Sequence, residues 1–274
     1  MRLFTVQPKE VYDQILHTGM YTCIPDKSEY ISNSGENFVE AYKWLIKQMN
    51  EKIENKERIT YPVWAWYKLD GKNELPDFNN TLISYANDYL IEIEINKKDV
   101  VLTDYDSWHF VLNNSYYNPY EDEKEWEEEE YRYEMLPYEE ANKLKLASWQ
   151  RVFDVENDKY VQATFWQLKK ENIVSVHKIL KSVDLDDIIY MIEDKDYTDK
   201  DRADAGYSKE TLPNFLNNYY LNAKNRYEYL LSLDGNENLD NLIKKSTFKL
   251  PQEQEEKIQK IIKFFDLNEK DIIR

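Results

Sequence analysis

The chain has 274 residues, with 53 acidic against 36 basic side chains and a formal net charge of −17. A protein with this negative charge repels nucleic-acid phosphates at long range, which argues against broad, sequence-independent binding of nucleic acid. Hydrophobic residues make up 42% of the chain and aromatic residues 15%, enough for a substantial core, which argues against global disorder.

The five glycines form neither G-x-G-x-x-G nor G-x-x-x-x-G-K-[ST]. This excludes the usual glycine-rich loops that bind phosphate in dinucleotide-binding and P-loop proteins. No apolar run is long enough for a bilayer, and no cationic stretch precedes an apolar segment near the N-terminus. We therefore expect a cytoplasmic protein without membrane contact. Cys23 is the single cysteine, which rules out an intramolecular disulfide and favours a small buried residue over a nucleophile.

The elements up to residue 182 predict an α+β domain. A strand over residues 3–7 leads into a helix opened by Pro8 and ended by Gly19, and a second helix runs from about 37 to 53. A turn-rich piece at 25–35 separates the two helices. Alternating residues predict further strands at 61–67, 89–95, 100–102 and 160–166. We expect a mixed, mostly antiparallel sheet with flanking helices.

Two later segments differ in character. Residues 119–140 form an acidic insert, which is typical of a solvated loop or helix. Residues 183–274 form a helical C-terminal extension in which acidic loops separate the helices. The predicted helices of this extension are 184–194, 211–232, 237–246 and 251–265.

Residues 101–113 read VLTDYDSWHFVLN and place two carboxylates near an imidazole. Asp104, Asp106 and His109 in one turn would suit a divalent cation, as in a metal-dependent hydrolase. Alternatively, the aspartates shape the turn and cap the following helix. The capping interpretation is favoured, and we expect no metal.

The aromatic residues of the first domain have two interpretations. Trp64 and Trp66 share one face of a strand, and Tyr42 lies on the second predicted helix. Aromatic side chains bury large areas and dominate cores, so the core is favoured for any one of them. As a group they also fit the wall of a pocket that stacks a planar ring.

Six motifs in order resemble an uncharacterised bacterial and phage family, a domain of unknown function, over roughly the first 180 residues. The motifs are TVQ (5–7), AYKWLIKQM (41–49), YPVWAW (61–66), VLTDYDSWHFVLN (101–113), SWQRVFD (148–154) and QATFW (162–166). This family implies no activity.

Two of these regions are also similar to ADP-ribosyltransferases of the DNA-modifying toxin type. The opening strand, helix and glycine (residues 3–19) resemble the start of such domains, and VQAT (161–164) resembles their Q-A-E strand. The resemblance implies NAD as substrate, without a glycine-rich loop, and an aromatic grip on nicotinamide. Thr164 stands where the family has its catalytic glutamate. The carboxylate therefore comes from elsewhere, with Asp104 and Asp106 the candidates, or the domain binds without catalysing.

The resemblance implies a role for each candidate residue. Thr5 and Gln7 would lie near a ribose, and Gln162 would orient a ribose hydroxyl. Tyr42, Trp64 and Trp66 would form the wall of the pocket. His109, with Asp104 or Asp106, would act as a general base or as a polar contact. The target would be a macromolecule, protein rather than nucleic acid, in conflict between bacteria and phages. A function of another class stays open, namely a non-enzymatic acidic inhibitor or antitoxin-like module that binds a basic partner.

Overall fold

The computed structural model describes residues 1–25, 35–233 and 248–272. The chain divides into two compact units. Unit 1 comprises residues 1–5, 10–74 and 91–176, and unit 2 comprises residues 6–9, 75–90 and the chain from 177 onward. The predicted helix at 237–246 and most of the predicted turns at 25–35 lie outside the described residues. The predicted domain boundary at residue 182 stays a prediction.

Six strands form the main sheet, in the order β5-β6-β3-β1-β4-β8. They are β1 (Arg2–Gln7), β3 (Val63–Lys68), β4 (Tyr89–Glu94), β5 (Val101–Asp104), β6 (Val161–Phe165) and β8 (Ile173–Lys178). A second sheet pairs β2 (Met20–Tyr21) with β7 (Leu168–Lys169). The main sheet is antiparallel, as in the pairings of β3 with β1 and β6 and of β5 with β6. The predicted α+β class with an antiparallel sheet is confirmed.

Helices flank the sheet and make up most of the C-terminal region. In the described residues they are α1 (Lys9–Thr18), α2 (Glu36–Lys52), α3 (Tyr105–Leu112), α4 (Glu123–Glu134), α5 (Tyr138–Ser148), α6 (Leu185–Glu193), α7 (Asp199–Asp204), α8 (Leu212–Leu233) and α9 (Gln252–Phe265). Gly19 ends α1 as predicted, because its φ of 84° lies in the left-handed region that glycine tolerates. Three of the predicted C-terminal helices correspond to α6, α8 and α9.

The core of unit 1 forms between one face of the sheet and the helices α2 and α3. Antiparallel register pairs Trp64 with Thr164, and Val101 with the same Thr164, so these side chains share a face. Helix α2 turns the fully buried Ala41, Leu45 and Met49 toward this core, since residues four apart lie on one side of a helix. The other buried members are Tyr42, Ile53, Val101, Trp108, Val111, Trp149, Val152 and Trp166.

Unit 2 has a core of its own between its helices. Buried apolar side chains of α6, α8 and α9 pack together, among them Ile188, Leu216 and Ile261. A polar group is buried in the same unit, where the side-chain amide of Asn222 donates to Asn79 Oδ1 at 3.1 Å and to the Leu180 carbonyl at 2.9 Å. Burial of these amides is tolerated because they satisfy one another.

Candidate functional site

A polar and aromatic group forms where β3 and β5 end and β6 begins. Both β3 and β5 run antiparallel to β6, so Lys68 and Asp104 both lie opposite Val161, the first residue of β6. We call this group the strand-end site. Its members are Trp66, Lys68, Thr103, Asp104, Tyr105, Asp106, His109, Asp158 and Gln162.

One row of the sheet supplies three of these side chains. Gln162 of β6 lies opposite both Trp66 of β3 and Thr103 of β5, so the three residues share one face. Trp66 and Gln162 are half-buried. Thr103 is fully buried, and its hydroxyl oxygen has no hydrogen-bond partner among the described residues. Because an unsatisfied buried polar group is costly, Thr103 marks this row as a place where a polar ligand group would be stabilised.

Aromatic rings continue the site onto helix α3. The rings of Trp66 and Tyr105 have centres 5.2 Å apart, and the Tyr105 ring meets His109 edge-on at 4.7 Å. His109 Nδ1 lies 2.9 Å from the Tyr105 carbonyl oxygen, one helical turn earlier. A carbonyl oxygen only accepts hydrogen bonds, so Nδ1 is the donor in this contact and Nε2 is the ring nitrogen left for other contacts. His109 is exposed, which leaves Nε2 open to a ligand.

Asp104 holds the beginning of α3. Its Oδ1 accepts a hydrogen bond of 2.7 Å from the backbone N–H of Ser107, and only 7% of the residue is exposed. This is the N-cap geometry in which a short carboxylate satisfies one of the free N–H groups of the first helical turn. The predicted cap is confirmed, and Asp106 lies exposed in the first turn of the same helix.

Removal of the cap is expected to destabilise the protein without altering the strand register. Asp104→Ala should lower the free energy of unfolding by about 1 kcal/mol, the usual cost of a lost N-cap. Asp104→Asn should cost less than half of that, because the amide oxygen still accepts from Ser107. Urea denaturation of both variants tests this role. Equal losses would contradict it, because they would mean that the negative charge and not the acceptor matters.

Sequence reasoning missed four members of the site, namely Lys68, Thr103, Tyr105 and Asp158, and of these Asp158, in the loop before β6, has the most unusual carboxyl environment. Burial raises the pKa of its carboxyl group, and repulsion from Asp104, Asp154 and Asp106 adds to this, against a lowering by Lys68. Its Oδ2 is buried and has no hydrogen-bond partner among the described residues, while Lys68 Nζ lies 3.5 Å from its backbone carbonyl. Nothing in the local pattern distinguishes Asp158 among 53 acidic residues, since only the strand pairing brings it to Asp104.

Four of the predicted binding residues lie elsewhere. Tyr42 is buried, and its ring centre lies 6.1 Å from those of both Trp64 and Trp108, inside the core of unit 1. Burial raises the pKa of the Tyr42 hydroxyl. Thr5 is buried on β1 and donates its hydroxyl to the Trp64 carbonyl at 2.8 Å, and Gln7 is the last residue of β1. Their roles in a pocket stay predictions.

Thr164, which stands in place of a catalytic glutamate, is fully buried and donates to the Val101 carbonyl at 3.3 Å. It therefore lies within the packed interior of the sheet.

Within the described ranges 1–25, 35–233 and 248–272, no group of three or more His, Cys, Asp or Glu side chains is arranged to hold a metal ion. None of the helices in that part of the chain combines the length and apolar character needed to span a bilayer.

Fold and site together define a class, an α+β protein with a six-stranded antiparallel sheet and an acidic, aromatic site at one sheet end. The chain belongs to the family described as Domain of unknown function (DUF3841), whose model matches residues 2–174. The predicted membership of an uncharacterised family is confirmed at this level. The individual motifs and the resemblance to ADP-ribosyltransferases stay predictions. No curated protein and no solved structure gives a significant match.

Proposed function

We propose that this protein is an ADP-ribosyltransferase-like enzyme that binds NAD at the strand-end site and transfers ADP-ribose to a protein. The observation that carries the proposal is that Trp66, Gln162 and, through Tyr105, His109 come together from three separate segments. The desolvated carboxyl group of Asp158 lies at the same end of the sheet, where Asp104 and Asp106 of the Tyr105 segment raise its pKa. The other implied residues, Tyr42, Trp64, Thr5 and Gln7, are not needed for it.

The nicotinamide ring of NAD is planar and carries a positive charge. The faces of Trp66 and Tyr105 would attract it through cation–π interaction. The carboxylates of Asp104, Asp106 and Asp154, which are close enough to Asp158 to raise its pKa, would add to that attraction. A site with these properties favours the oxidised, cationic form of the nucleotide over the uncharged dihydronicotinamide.

Transfer breaks the bond between nicotinamide N1 and ribose C1′, and the electron pair leaves with nicotinamide. Positive charge builds up on the ribose until an acceptor oxygen or nitrogen of the target bonds to C1′ and loses its proton. Asp158 would stabilise that charge and take the proton, in place of the glutamate that is absent at Thr164. A raised pKa suits this role because it makes the carboxylate a better proton acceptor.

Gln162 would contact the ribose from the sheet, since a side-chain amide both donates and accepts. The Thr103 hydroxyl, which is buried and has no hydrogen-bond partner in the described part of the chain, lies beside Gln162 in the same row. His109 would offer Nε2 as an acceptor at the outer side of the ring. Asp104 would act indirectly, by holding the first turn of α3 and therefore Tyr105 and His109 in place.

Loss of the Trp66 ring should weaken NAD binding. Trp66→Ala is expected to raise the Kd for NAD at least tenfold, because stacking and cation–π contacts with the cationic ring disappear. Isothermal titration calorimetry with NAD and with NADH measures this, and NADH should bind more weakly than NAD. The matched control is Trp126→Ala, a tryptophan 46% exposed on α4, which should leave the Kd within twofold.

Mass spectrometry of bacterial lysate proteins incubated with the enzyme and NAD then tests for ADP-ribose on a target. The proposal is overturned if wild-type protein shows no heat of binding with NAD and no protein gains ADP-ribose. Equal affinity for NAD and NADH would remove the charge argument for the site.

A further inference from the structure

Helix α4 and the turn that joins it to α5 expose an unusual amount of apolar surface. Tyr138, Met135 and Tyr131 have exposed fractions of 83%, 65% and 63%, the three highest among the large hydrophobic residues that the structure describes. Apolar side chains gathered in this way mark interaction sites, and tyrosine, tryptophan and methionine are enriched at interfaces. We call residues 123–140 the acidic aromatic surface.

The same surface holds much of the negative charge of the chain. Residues 123–140 contain nine acidic and two basic side chains, a net charge of −7 out of −17 for the whole chain. The acidic Glu123 and Glu127, and likewise Glu130 and Glu134, stand four residues apart, where like charges on a helix destabilise it. A positively charged ligand would remove this repulsion.

The opposite side of α4 is firmly packed, so its exposed face does not result from a poorly anchored helix. The buried Glu129 carboxylate accepts from the Tyr116 hydroxyl at 2.7 Å and from Arg132, and this pairing lowers the pKa of Glu129. The rings of Tyr116 and Tyr133 stack with centres 4.3 Å apart. Asp122 caps the helix by accepting from Lys124 and Glu125.

Helical spacing combines the apolar and acidic groups on one side. Glu128, Tyr131 and Met135 follow one another at i, i+3 and i+7, and Glu127, Tyr131 and Glu134 at i, i+4 and i+7. Tyr131 is therefore flanked by carboxylates, with Met135 beside it. A side chain with an apolar stem and a positive end, such as lysine or arginine, is complementary to this arrangement.

We infer that the acidic aromatic surface is a docking site for an amphipathic segment of another protein that is rich in lysine and arginine. Nucleic acid and a second copy of this chain are disfavoured because both are strongly negative. The inference uses none of the residues of the strand-end site and is independent of NAD binding.

Fluorescence anisotropy of the full chain with synthetic peptides tests the inference. The probe is a labelled 18-residue amphipathic peptide of alternating arginine and leucine pairs, and a second peptide carries the same charge with serine in place of leucine. We expect the first peptide to bind at least tenfold more tightly than the second, since both charge and apolar contact contribute. Equal affinity would overturn the inference, because charge alone would then explain binding.

Two triple variants separate the two contributions. The apolar variant is Tyr131→Ala with Met135→Ala and Tyr138→Ala, and the charge variant is Glu127→Gln with Glu128→Gln and Glu134→Gln. Each should weaken binding of the arginine–leucine peptide at least tenfold. Their helices should persist, because alanine and glutamine are good helix formers at exposed positions, and circular dichroism verifies this.

The matched control removes the same charge from exposed positions on other elements. It combines Glu10→Gln, Glu51→Gln and Glu171→Gln. Its affinity for the peptide should stay within twofold of wild type, and a loss equal to that of the charge variant would overturn the inference. Sedimentation velocity adds a further check, since a dimer of the wild-type chain that the apolar variant abolishes would mean that a second copy covers the surface.

Discussion

Replacement of Trp108 by alanine is expected to lower the free energy of unfolding by about 3–5 kcal/mol, the usual cost of truncating a buried aromatic residue. Trp108 is 4% exposed, and its ring centre lies 5.5 Å from that of Trp64 and 6.1 Å from that of Tyr42. Alanine would leave a cavity between α2, α3 and the sheet that these large, rigid neighbours cannot fill. Guanidinium denaturation followed by circular dichroism measures the loss.

Two further variants make this prediction specific. Trp108→Phe should cost less than Trp108→Ala because it keeps most of the buried area, and it serves if the alanine variant does not fold. Trp126→Ala, on the exposed surface of α4, should change the free energy of unfolding by less than about 1 kcal/mol. A loss below about 1 kcal/mol for Trp108→Ala would mean that Tyr42, Trp64 and Trp108 line a loosely packed pocket instead of a core.

Asp158→Asn is expected to reduce ADP-ribose transfer by roughly 10²- to 10⁴-fold, the range that general acid–base groups contribute. The same change should raise the melting temperature, because asparagine removes a carboxylate that is desolvated and repelled by Asp104, Asp154 and Asp106. Asp158→Asn is thus expected to lower activity and to raise stability. This is the result expected when a site keeps, for its function, a charged group that destabilises the folded protein. Transfer assays and thermal denaturation of the same preparation measure both effects.

The pH dependence of this stability difference has a definite sign. Because burial and neighbouring carboxylates raise the pKa of Asp158 in the folded protein, the folded state binds the proton more tightly than the unfolded state. The contribution of Asp158 to stability is therefore greatest below its unfolded pKa and is lost as pH rises through its folded pKa. The advantage of Asp158→Asn over wild type should grow across that interval and stay constant above it.

The control for Asp158→Asn is its exposed neighbour, Asp154→Asn. This variant removes part of the repulsion that raises the pKa of Asp158 and should leave transfer within about tenfold of wild type. The assignment of Asp158 as the active carboxylate is contradicted if Asp158→Asn keeps full transfer activity. It is also contradicted if the two variants lose activity equally.

The predicted elements agree with the structure where the local pattern is strong. The strand predicted at 61–67 corresponds to Val63–Lys68, and the helix predicted at 251–265 corresponds to Gln252–Phe265. Helix α7 (Asp199–Asp204) was missed, because it is short and polar and is held by a capping box between Thr198 and Asp201. The acidic insert contains the well-capped helix α4, which has little apolar periodicity of its own.

The candidate site was only partly accessible to sequence reasoning. Trp66, Asp104, Asp106, His109 and Gln162 were predicted and lie at one end of the sheet. Tyr42 and Trp64 share the same aromatic character, yet they belong to the packed interior. Residue type alone does not distinguish an aromatic side chain of the core from one that lines a site. A tryptophan on a strand buries a similar area whether it packs against a helix or against a ligand.

The sequence by itself determined the fold class, the cap at Asp104 and the acidic charge of residues 119–140, because these depend on residue type and short-range spacing. Only the tertiary structure decided that Lys68, Asp104 and Asp158 meet, and that Thr164 is buried while Gln162 is half-exposed. Those facts follow from the register of β3, β5 and β6, which pairs residues about 60 to 100 positions apart. Register depends on which strand faces pack against α2 and α3, and this packing couples segments that are far apart in the sequence.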